Sequence, residues 1–351
     1  MRRMRTVLAP VAALSLVLAA CGGDDSSSDD AAPDTGDAVE EAVEVDDTDD
    51  GDAVEEAEVT TAGGGDLTIH MVTHSDDGPF WSVVKRGADA AAADLGIEVV
   101  WLGSNNDPET QVQMIEQAIS EGSAGIAASL PSPDQLVGPL QAAVGGGIPV
   151  ITLNSGSNDY QDIGALTHVG QDEIIAGRGA GERFNELGAT KILCGMQEQS
   201  NVALEERCEG LAETFNGEVI IDFVGLDADQ TSQTNTIKAA MEADPDVDGF
   251  MGTGPVIAMS GLNAAQDIGR DAVIAGFDLT PELLDAIEAG EVAFTVDQQQ
   301  YLQGYMPVLL LYLNVTNQNT LGGGLPILTG PGFVDPDNAG EVKALSAQGT
   351  R

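Results

Sequence analysis

Polar residues recur in this sequence directly after short apolar segments, where they could bind a ligand. Two aromatic residues, Phe80 and Trp81, follow the first of these segments in a chain that is only 4% aromatic. A carbohydrate presents hydroxyl groups, which hydrogen-bond to carboxylates and amides, and apolar C–H faces, which pack on flat rings. The set therefore suits a sugar or a related polyol. Its polar members lie at 73–77, 103–106, 154–155, 197–198, 253–254, 278 and 297–298, and they include His74, Asn154, Ser155, Gly254, Asp278 and Gln298.

Each of these residues also has a plainer structural interpretation. Polar residues after a strand commonly form turns or helix caps, and Asp107 in the sequence Asp-Pro-Glu is predicted to be such a cap. Packing inside a core is the alternative role for Phe80 and Trp81. The sequence leaves both interpretations open for the aromatic pair.

Signatures of catalysis and of cofactor binding are missing from the sequence. It contains no Gly-x4-Gly-Lys phosphate loop, no Gly-x-Ser-x-Gly elbow and no His-Glu-x-x-His motif, and its 3 histidines lack metal-ligand spacing. The run Gly-Arg-Gly-Ala-Gly at 177–181 fails the dinucleotide pattern and is interpreted as close helix packing. We therefore predict no catalytic residue, no metal and no cofactor.

The candidate residues are positioned by an alternation of strands and helices that begins near residue 67. Apolar or β-branched runs such as 67–72, 149–153 and 191–196 alternate with helical patterns such as 80–95 and 202–215. Strands separated by helices form parallel sheets, in which ligands bind beyond the carboxyl ends of the strands. The series is too long for one sheet and pauses near 166–169. We therefore predict an α/β fold with two doubly wound parallel-sheet lobes.

The first 65 residues indicate export and a tether. Arg2, Arg3 and Arg5 precede an apolar run at 6–18, which is typical of a secretory signal peptide at 1–20. The run ends in Leu-Ala-Ala-Cys, which resembles a bacterial lipobox, so Cys21 is predicted to be lipidated; a plain signal peptide is the alternative. Residues 22–65 contain no aromatic residue, Lys or Arg. Segment 21–65 is therefore predicted to be a lipidated Cys followed by an acidic, disordered tether.

Two further cysteines, Cys194 and Cys208, complete the total of 3. In an exported chain such a pair favours a disulfide over a metal site or a nucleophile. Two buried free thiols are the alternative.

The formal net charge of -45 limits the partners of the chain. Nucleic acids and anionic lipid headgroups both need basic patches. Because the chain has 58 acidic residues and only 13 Lys and Arg, we expect no binding to nucleic acid. Attachment to a membrane is expected only through the lipid anchor.

Six short stretches make the chain resemble the type I periplasmic solute-binding proteins of the ribose- and galactose-binding group, which supply ABC importers. The resemblance extends from residue 67 to about residue 338, and its strength lies in shared order and spacing. The stretches are Gly-Pro-Phe-Trp at 78–81, Pro-Val-Ile-Thr-Leu-Asn at 149–154, His-Val-Gly-Gln-Asp at 168–172, Arg-Cys-Glu-Gly at 207–210, Gly-Phe-Asp-Leu-Thr-Pro at 276–281 and Phe-Thr-Val-Asp-Gln at 294–298.

This resemblance implies a set of ligand-binding residues. Phe80 and Trp81 stand where the family places two aromatic residues around the sugar ring. Asn154 stands in place of an Asp that binds hydroxyl groups, whereas Asp278 and Gln298 match residues that contact the ligand in the family.

Three departures from the ribose-binding pattern accompany these matches. Ser155 and, roughly, Glu205 stand where ribose-binding proteins have arginines, and Gly254 replaces an Asn. Because two guanidinium groups are lost, two strong and directional hydroxyl binders are missing. Ribose itself is therefore not the expected ligand.

The chain of the family crosses between the lobes three times, and the resemblance implies crossings here near 169–170, 296–297 and 325–326. They assign 66–169 plus 298–325 to a first lobe and 170–297 plus 326–344 to a second. The helical pattern at 301–315 thereby belongs to the first lobe. The chain is expected to be a monomer.

Together these features predict a lipid-anchored receptor at the outer face of the cytoplasmic membrane or in the periplasm. It is expected to capture a sugar or polyol between its lobes and to deliver it to an ABC permease, without enzymatic activity. A receptor for another small polar solute, such as a nucleoside or a signalling furanose, and a ligand-presenting sensor are the alternatives. A secreted α/β enzyme is the rival class, and it is disfavoured because no nucleophile–base pair or metal set can be assembled.

Overall fold

Two six-stranded sheets form the framework of the chain. The computed structural model describes residues 67–76, 78–226 and 229–351. The predicted signal peptide, Cys21 and the predicted tether lie outside the described residues. Each sheet forms the centre of one lobe, and together the lobes confirm the predicted α/β fold with two doubly wound sheets.

The sheet of the first lobe is parallel throughout. Its four inner strands are largely buried, as expected for strands covered by helices on both faces. In spatial order they are β2 (Glu98–Gly103), β1 (Thr68–Thr73), β3 (Gly125–Ser129), β4 (Val150–Leu153), β5 (His168–Gly170) and β11 (Ile327–Leu328).

The sheet of the second lobe has the same design, with one antiparallel strand at its edge. In spatial order its strands are β7 (Glu218–Phe223), β6 (Lys191–Met196), β8 (Gly249–Gly252), β9 (Val273–Phe277), β10 (Phe294–Asp297) and the antiparallel β12 (Gly332–Val334).

Helices cover both sheets. Those of the first lobe are α1 (Gly78–Leu95), α2 (Pro108–Ser120), α3 (Pro133–Gly145), α4 (Tyr160–Ile163) and α10 (Gln300–Asn317). Those of the second lobe are α5 (Glu173–Glu186), α6 (Val202–Thr214), α7 (Gln230–Ala243), α8 (Pro255–Asp267), α9 (Pro281–Glu288) and α11 (Ala339–Ser346).

Sheet membership shows that the chain passes between the lobes three times, and it corrects one predicted boundary. The third crossing is predicted near 325–326, yet Ile327 pairs with Val169 in the first sheet. The chain therefore leaves the first lobe only after Leu328, and the assignment of residues 326–328 to the second lobe is wrong. A strand of two residues is too short to show a periodic pattern, which is why the sequence did not indicate it.

Local sequence signals explain where several helices begin. The carboxylate of Asp107 accepts a hydrogen bond from the backbone N–H of Glu109 at 3.0 Å, which confirms the predicted cap of α2. Helices α3, α8 and α9 each have Pro in the first turn, where its missing N–H needs no partner.

Glycines allow two pairs of helices to pack closely. In the second lobe a Cβ added at Gly177 of α5 would collide with the backbone of α6 at Arg207, which confirms that the run at 177–181 serves helix packing. The first lobe uses the same device, because Gly304 of α10 lies directly against the backbone of α1 at Val84. These close contacts place α10 in the first lobe, although it follows a strand of the second.

A disulfide joins α6 to the sheet of the second lobe. The sulfur atoms of Cys194 in β6 and Cys208 in α6 are bonded, with the Cα atoms 5.9 Å apart. Both residues are fully buried among apolar side chains.

In the part of the chain that the structure describes, no helix combines the length and the apolar character needed to span a membrane.

Gly304→Ala tests the close packing of α1 on α10. The added methyl group has no room beside the Val84 carbonyl, so we expect a loss of about 1–3 kcal/mol in the free energy of unfolding, the usual cost of overpacking. Gly145→Ala at the end of α3 is the control, because its Cβ would enter open space. It should leave stability unchanged or raise it by up to about 1 kcal/mol. Urea denaturation measures both, and equal stabilities would contradict the packing argument.

Candidate ligand-binding cleft

A cleft of about 600 Å³ lies between the lobes, where the carboxyl ends of strands from both sheets approach each other. Six of the eight predicted ligand-binding residues line it: His74, Phe80, Trp81, Asn154, Asp278 and Gln298. The first lobe supplies the first four, and Asp278 follows β9 of the second lobe. Gln298 directly follows β10, at the second crossing between the lobes.

The two remaining predicted residues do not line the cavity. The hydroxyl of Ser155 is buried and lies within hydrogen-bond distance of the side-chain oxygens of Asn154 (2.9 Å) and Asn201 (3.1 Å), between which its single proton is shared. Gly254 lies against the side chain of Gln197 at the start of α8. Both residues lie behind the wall of the cleft and support residues that form it.

The aromatic pair belongs to the cleft and to the core at once. Trp81 is only 6% exposed and packs into the apolar core of the first lobe, while it also lines the cavity. Its ring meets Phe80 edge-on at a centroid distance of 5.0 Å and His74 at 4.8 Å. Trp81 therefore combines packing in the core with a place in the wall of the cleft, and Phe80 is half-buried at the same wall.

His74 is held as a neutral imidazole. Burial lowers its pKa, and the carboxylate of Glu198 opposes this shift only partly. The Nδ1 atom lies 2.9 Å from the Ser129 hydroxyl, and Nε2 lies 3.9 Å from Glu198 Oε2, across the cleft. A neutral imidazole can both donate and accept hydrogen bonds.

Asn154 and Asp278 share an unusual backbone conformation. Their φ angles are 63° and 66°, in the left-handed region that Asn and Asp tolerate better than most residues. Each follows a strand directly, β4 or β9, and each lines the cleft. A tight turn at the end of the strand therefore presents a polar side chain from each lobe.

A chain of hydrogen bonds fixes Asp278. The side-chain amide of Gln298 donates to Asp278 Oδ1 at 2.7 Å, and Gln303 donates to Gln298 Oε1 at 2.8 Å. Burial raises the pKa of Asp278 to about 7, although Arg207 and Gln298 act to lower it. Asp278 therefore changes its proton occupancy near neutral pH.

Arg207 of α6 is the residue that sequence reasoning missed. Its guanidinium group lines the cleft, is 4% exposed, and lies 3.8 Å from Asp278 Oδ2. Glu173 accepts from Nε at 2.8 Å and from Nη2 at 3.0 Å, and the Thr253 carbonyl accepts from Nη1 at 2.6 Å. The cleft therefore contains a guanidinium group, although Ser155 and Glu205 stand where ribose-binding proteins have arginines.

A sequence signal for Arg207 existed. Leu204, Arg207 and Leu211 are three and four residues apart, so they share one face of a helix, and all three are buried. Glu205 lies outside that spacing and is exposed. The resemblance to ribose-binding proteins aligns one of their arginines roughly with Glu205. Helical periodicity instead places Arg207 on the buried face of α6. Asn201, Leu204, Leu226, Pro255 and Val256 also line the cleft and were not predicted.

No group of three or more His, Cys, Asp or Glu side chains within the described ranges is arranged to hold a metal ion. The cleft offers fixed hydrogen-bond donors and acceptors next to aromatic rings. It can therefore bind a polar solute that has hydroxyl groups and apolar faces.

Comparison with known proteins places the chain in a family. Residues 69–319 match the family described as "Periplasmic binding protein domain". A xylose/arabinose-binding protein of Sulfolobus acidocaldarius is 30% identical over 77% of this chain and 71% of its own length. A ribose import binding protein of Haemophilus influenzae is 27% identical over 72% of this chain and 86% of its own.

A solved structure agrees with these relatives in fold. A carbohydrate transporter from Acidothermus cellulolyticus, crystallised with myo-inositol, is 38% identical and superposes with a TM-score of 0.78, covering 81% of this chain and 99% of its own. The family consists of extracytoplasmic solute-binding receptors, not enzymes. The chain therefore belongs to the periplasmic binding protein family, within the type I sugar-binding proteins of ABC transporters.

Proposed function

We propose that this receptor captures a cyclitol or a pentose in the interlobe cleft and delivers it to an ABC importer. The observation that carries the proposal is the constellation of Asn154, Asp278, Gln298 and Arg207 beside the ring of Trp81. The charged and amide groups suit hydroxyl groups, and the ring suits an apolar C–H face. The relatives with bound or named myo-inositol, xylose and arabinose supply the first compounds to test.

The work of such a receptor is differential binding. A ligand that contacts both lobes stabilises the closed arrangement relative to the open one, and no covalent bond changes. Trp81 and Asn154 approach the ligand from the first lobe, and Asp278 and Arg207 from the second. The closed form is then the species that the permease recognises.

A thermal-shift panel of myo-inositol, xylose, arabinose and ribose tests the proposal directly. A ligand at 100 times its Kd adds about 2.7 kcal/mol to the free energy of unfolding, which gives a readily measured rise in melting temperature. Absence of a shift with every cyclitol and pentose would refute it.

Arg207 acts in this proposal as a ligand contact that Glu173 positions. Two hydrogen bonds that Arg207 donates to Glu173 and one that it donates to the Thr253 carbonyl fix the guanidinium plane, so the remaining N–H groups are left for the ligand. A fixed fork binds adjacent hydroxyl groups with little further loss of entropy.

The same proposal extends to the N-terminus, where Cys21 would be acylated and would anchor the receptor to the membrane. The support comes from the sequence, in which Leu-Ala-Ala-Cys closes the apolar run at 6–18. The acidic segment after Cys21 would then separate the binding domain from the bilayer.

Trp81→Ala and Asp278→Asn test the two halves of the proposed site. Loss of the ring contact and loss of a charge-assisted hydrogen bond should each raise Kd about tenfold or more, since 1.4 kcal/mol corresponds to a factor of ten. Trp101→Ala is the control for Trp81, because Trp101 packs against Trp81 but does not line the cavity. It should lower stability and leave Kd unchanged. Calorimetric titration with a compound from the panel decides, and unchanged affinity in both site variants would refute the assignment.

Glu173→Gln tests the positioning of Arg207. We expect affinity to fall at least several-fold although Glu173 is not among the residues that line the cavity, because the guanidinium loses its buried counter-charge. Glu182→Gln, at an exposed position of the same helix, is the matched control and should bind like the wild type. The double variant Glu173→Leu/Arg207→Met separates binding from folding. It should recover much of the stability lost by Glu173→Gln but none of the affinity, and recovery of both would contradict the role of Arg207.

Cys21→Ser tests the anchor. Without the thiol no acyl chain can be attached, so the protein should move from the membrane fraction to the soluble fraction. Gly23→Ser is the control, because it leaves the thiol in place. Membrane association that persists in Cys21→Ser, measured by fractionation and immunoblotting, would exclude lipidation at this position.

A further inference from the structure

A row of contacts beside the cleft joins the two lobes, and we call it the seam. The backbone N–H of Val202 donates to the Pro131 carbonyl at 3.1 Å, and the Ser132 hydroxyl donates to the Ser200 carbonyl at 2.8 Å. The hydroxyl of Ser155 continues the row by donating to Asn201 at 3.1 Å. All the second-lobe partners lie at or near the start of α6. Each contact joins residues of different lobes, so separation of the lobes at this point would break it.

Glu206 lies at the end of the seam. It contributes a carboxyl group, whereas the other seam contacts named above are made by backbone groups, hydroxyls and an amide. Its Oε1 accepts a hydrogen bond from the Asn158 side chain of the first lobe at 2.7 Å. Its Oε2 is buried and has no hydrogen-bond partner among the described residues. In the same part of the chain it has no Lys, Arg or His within ion-pair distance, whereas neighbouring Arg207 is paired with Glu173.

The ionisable groups around Glu206 are acidic. Asp172 and Glu173 face it from the start of α5, and Asp159 faces it from the turn before α4. Burial, with a further contribution from these three carboxylates, raises the pKa of Glu206 to about 7, although the hydrogen bond from Asn158 acts to lower it. The closed arrangement therefore holds the protonated form of Glu206 more readily than the ionised form.

Separation of the lobes reverses this preference. Once Asn158 and the first-lobe turn withdraw, water reaches both oxygens of Glu206, and the carboxyl group returns toward its ordinary acidity. A proton that binds more tightly to the closed form than to the open form must favour closure, by reciprocal linkage.

We propose that Glu206 is a proton-binding site of the seam, and that closure of the cleft on a sugar is coupled to uptake of a proton there. The proposal rests on the proposed function for the identity of the ligand. The coupling between protonation of Glu206 and closure of the lobes does not depend on which ligand binds. Its sign follows from the geometry, because burial of Oε2 in the closed seam disfavours the ionised carboxylate relative to one exposed to water. Ligand capture should therefore strengthen as the pH falls from 8 toward 5.5.

Glu206→Gln is the decisive variant, because the amide imitates the protonated carboxyl and can still accept the hydrogen bond from Asn158. With myo-inositol or arabinose as the probe, the wild type should bind about tenfold more tightly at pH 5.5 than at pH 8. Glu206→Gln should bind more tightly than the wild type at pH 8, and its ratio of affinities between pH 5.5 and pH 8 should be about tenfold smaller than that of the wild type. Glu205→Gln, at the exposed neighbouring position, is the control and should retain the wild-type profile.

Titration calorimetry at pH 6 in buffers of different ionisation enthalpy counts the protons directly. When the ligand binds, the wild type and Glu205→Gln should each take up more protons than Glu206→Gln, by most of one proton. The other groups near the cleft whose pKa values are shifted into or toward this pH range include His74, Asp159 and Asp278, and they remain in all three proteins. Their contribution therefore cancels in the comparison. Identical proton uptake in Glu206→Gln and the wild type would overturn the proposal.

A measurement without ligand separates this proposal from the proposed function. Small-angle scattering of the full chain should show a smaller radius of gyration at pH 5.5 than at pH 8 for the wild type and Glu205→Gln. Glu206→Gln should stay compact at both pH values. If no tested sugar binds, the proposed function is refuted, but the scattering measurement still tests the coupling between Glu206 and closure. A radius of gyration that responds to pH equally in all three proteins would refute that coupling.

Discussion

The buried ion pair between Arg207 and Glu173 is the interaction on which the cleft depends. Two ions removed from water stabilise a protein only when their remaining hydrogen-bonding groups are satisfied as well. Here Glu173 takes two N–H groups, the Thr253 carbonyl takes a third, and the Phe277 ring lies 4.5 Å from the guanidinium carbon. The arrangement keeps a charged group at the wall of the cleft with its orientation fixed before any ligand arrives.

The close packing of helices on the sheets makes this orientation possible. Gly177 and Gly181 let α5, which carries Glu173, lie directly against α6, which carries Arg207. With side chains at those two positions the helix axes would have to separate, and the two ends of the ion pair would separate with them. The small residues of a helix interface thus control the geometry of a polar site some distance from them.

The sequence predicts the fold better than it predicts the site, for physical reasons. Alternating apolar and helical patterns each extend over many residues, so strands such as Lys191–Met196 and helices such as Val202–Thr214 are evident from the chain alone. The two-residue strand Ile327–Leu328 has no such pattern and was assigned to the wrong lobe. Ends of strands could be located, which is why Asn154, Asp278 and Gln298 were found. The contribution of α6 could not be located in this way, since Arg207 approaches the cleft from a helix whose rotation depends on its packing.

Three consecutive residues of α6 make three different connections. Glu206 contacts the first lobe, Arg207 lines the cleft, and Cys208 is bonded to the sheet. Since each residue turns a helix by about 100°, these directions are fixed relative to one another, and the bond at Cys208 fixes the rotation of the whole helix. One residue inserted or deleted between 206 and 208 would change all three connections together. We therefore expect evolution to tolerate substitutions in this segment of α6 but not insertions or deletions.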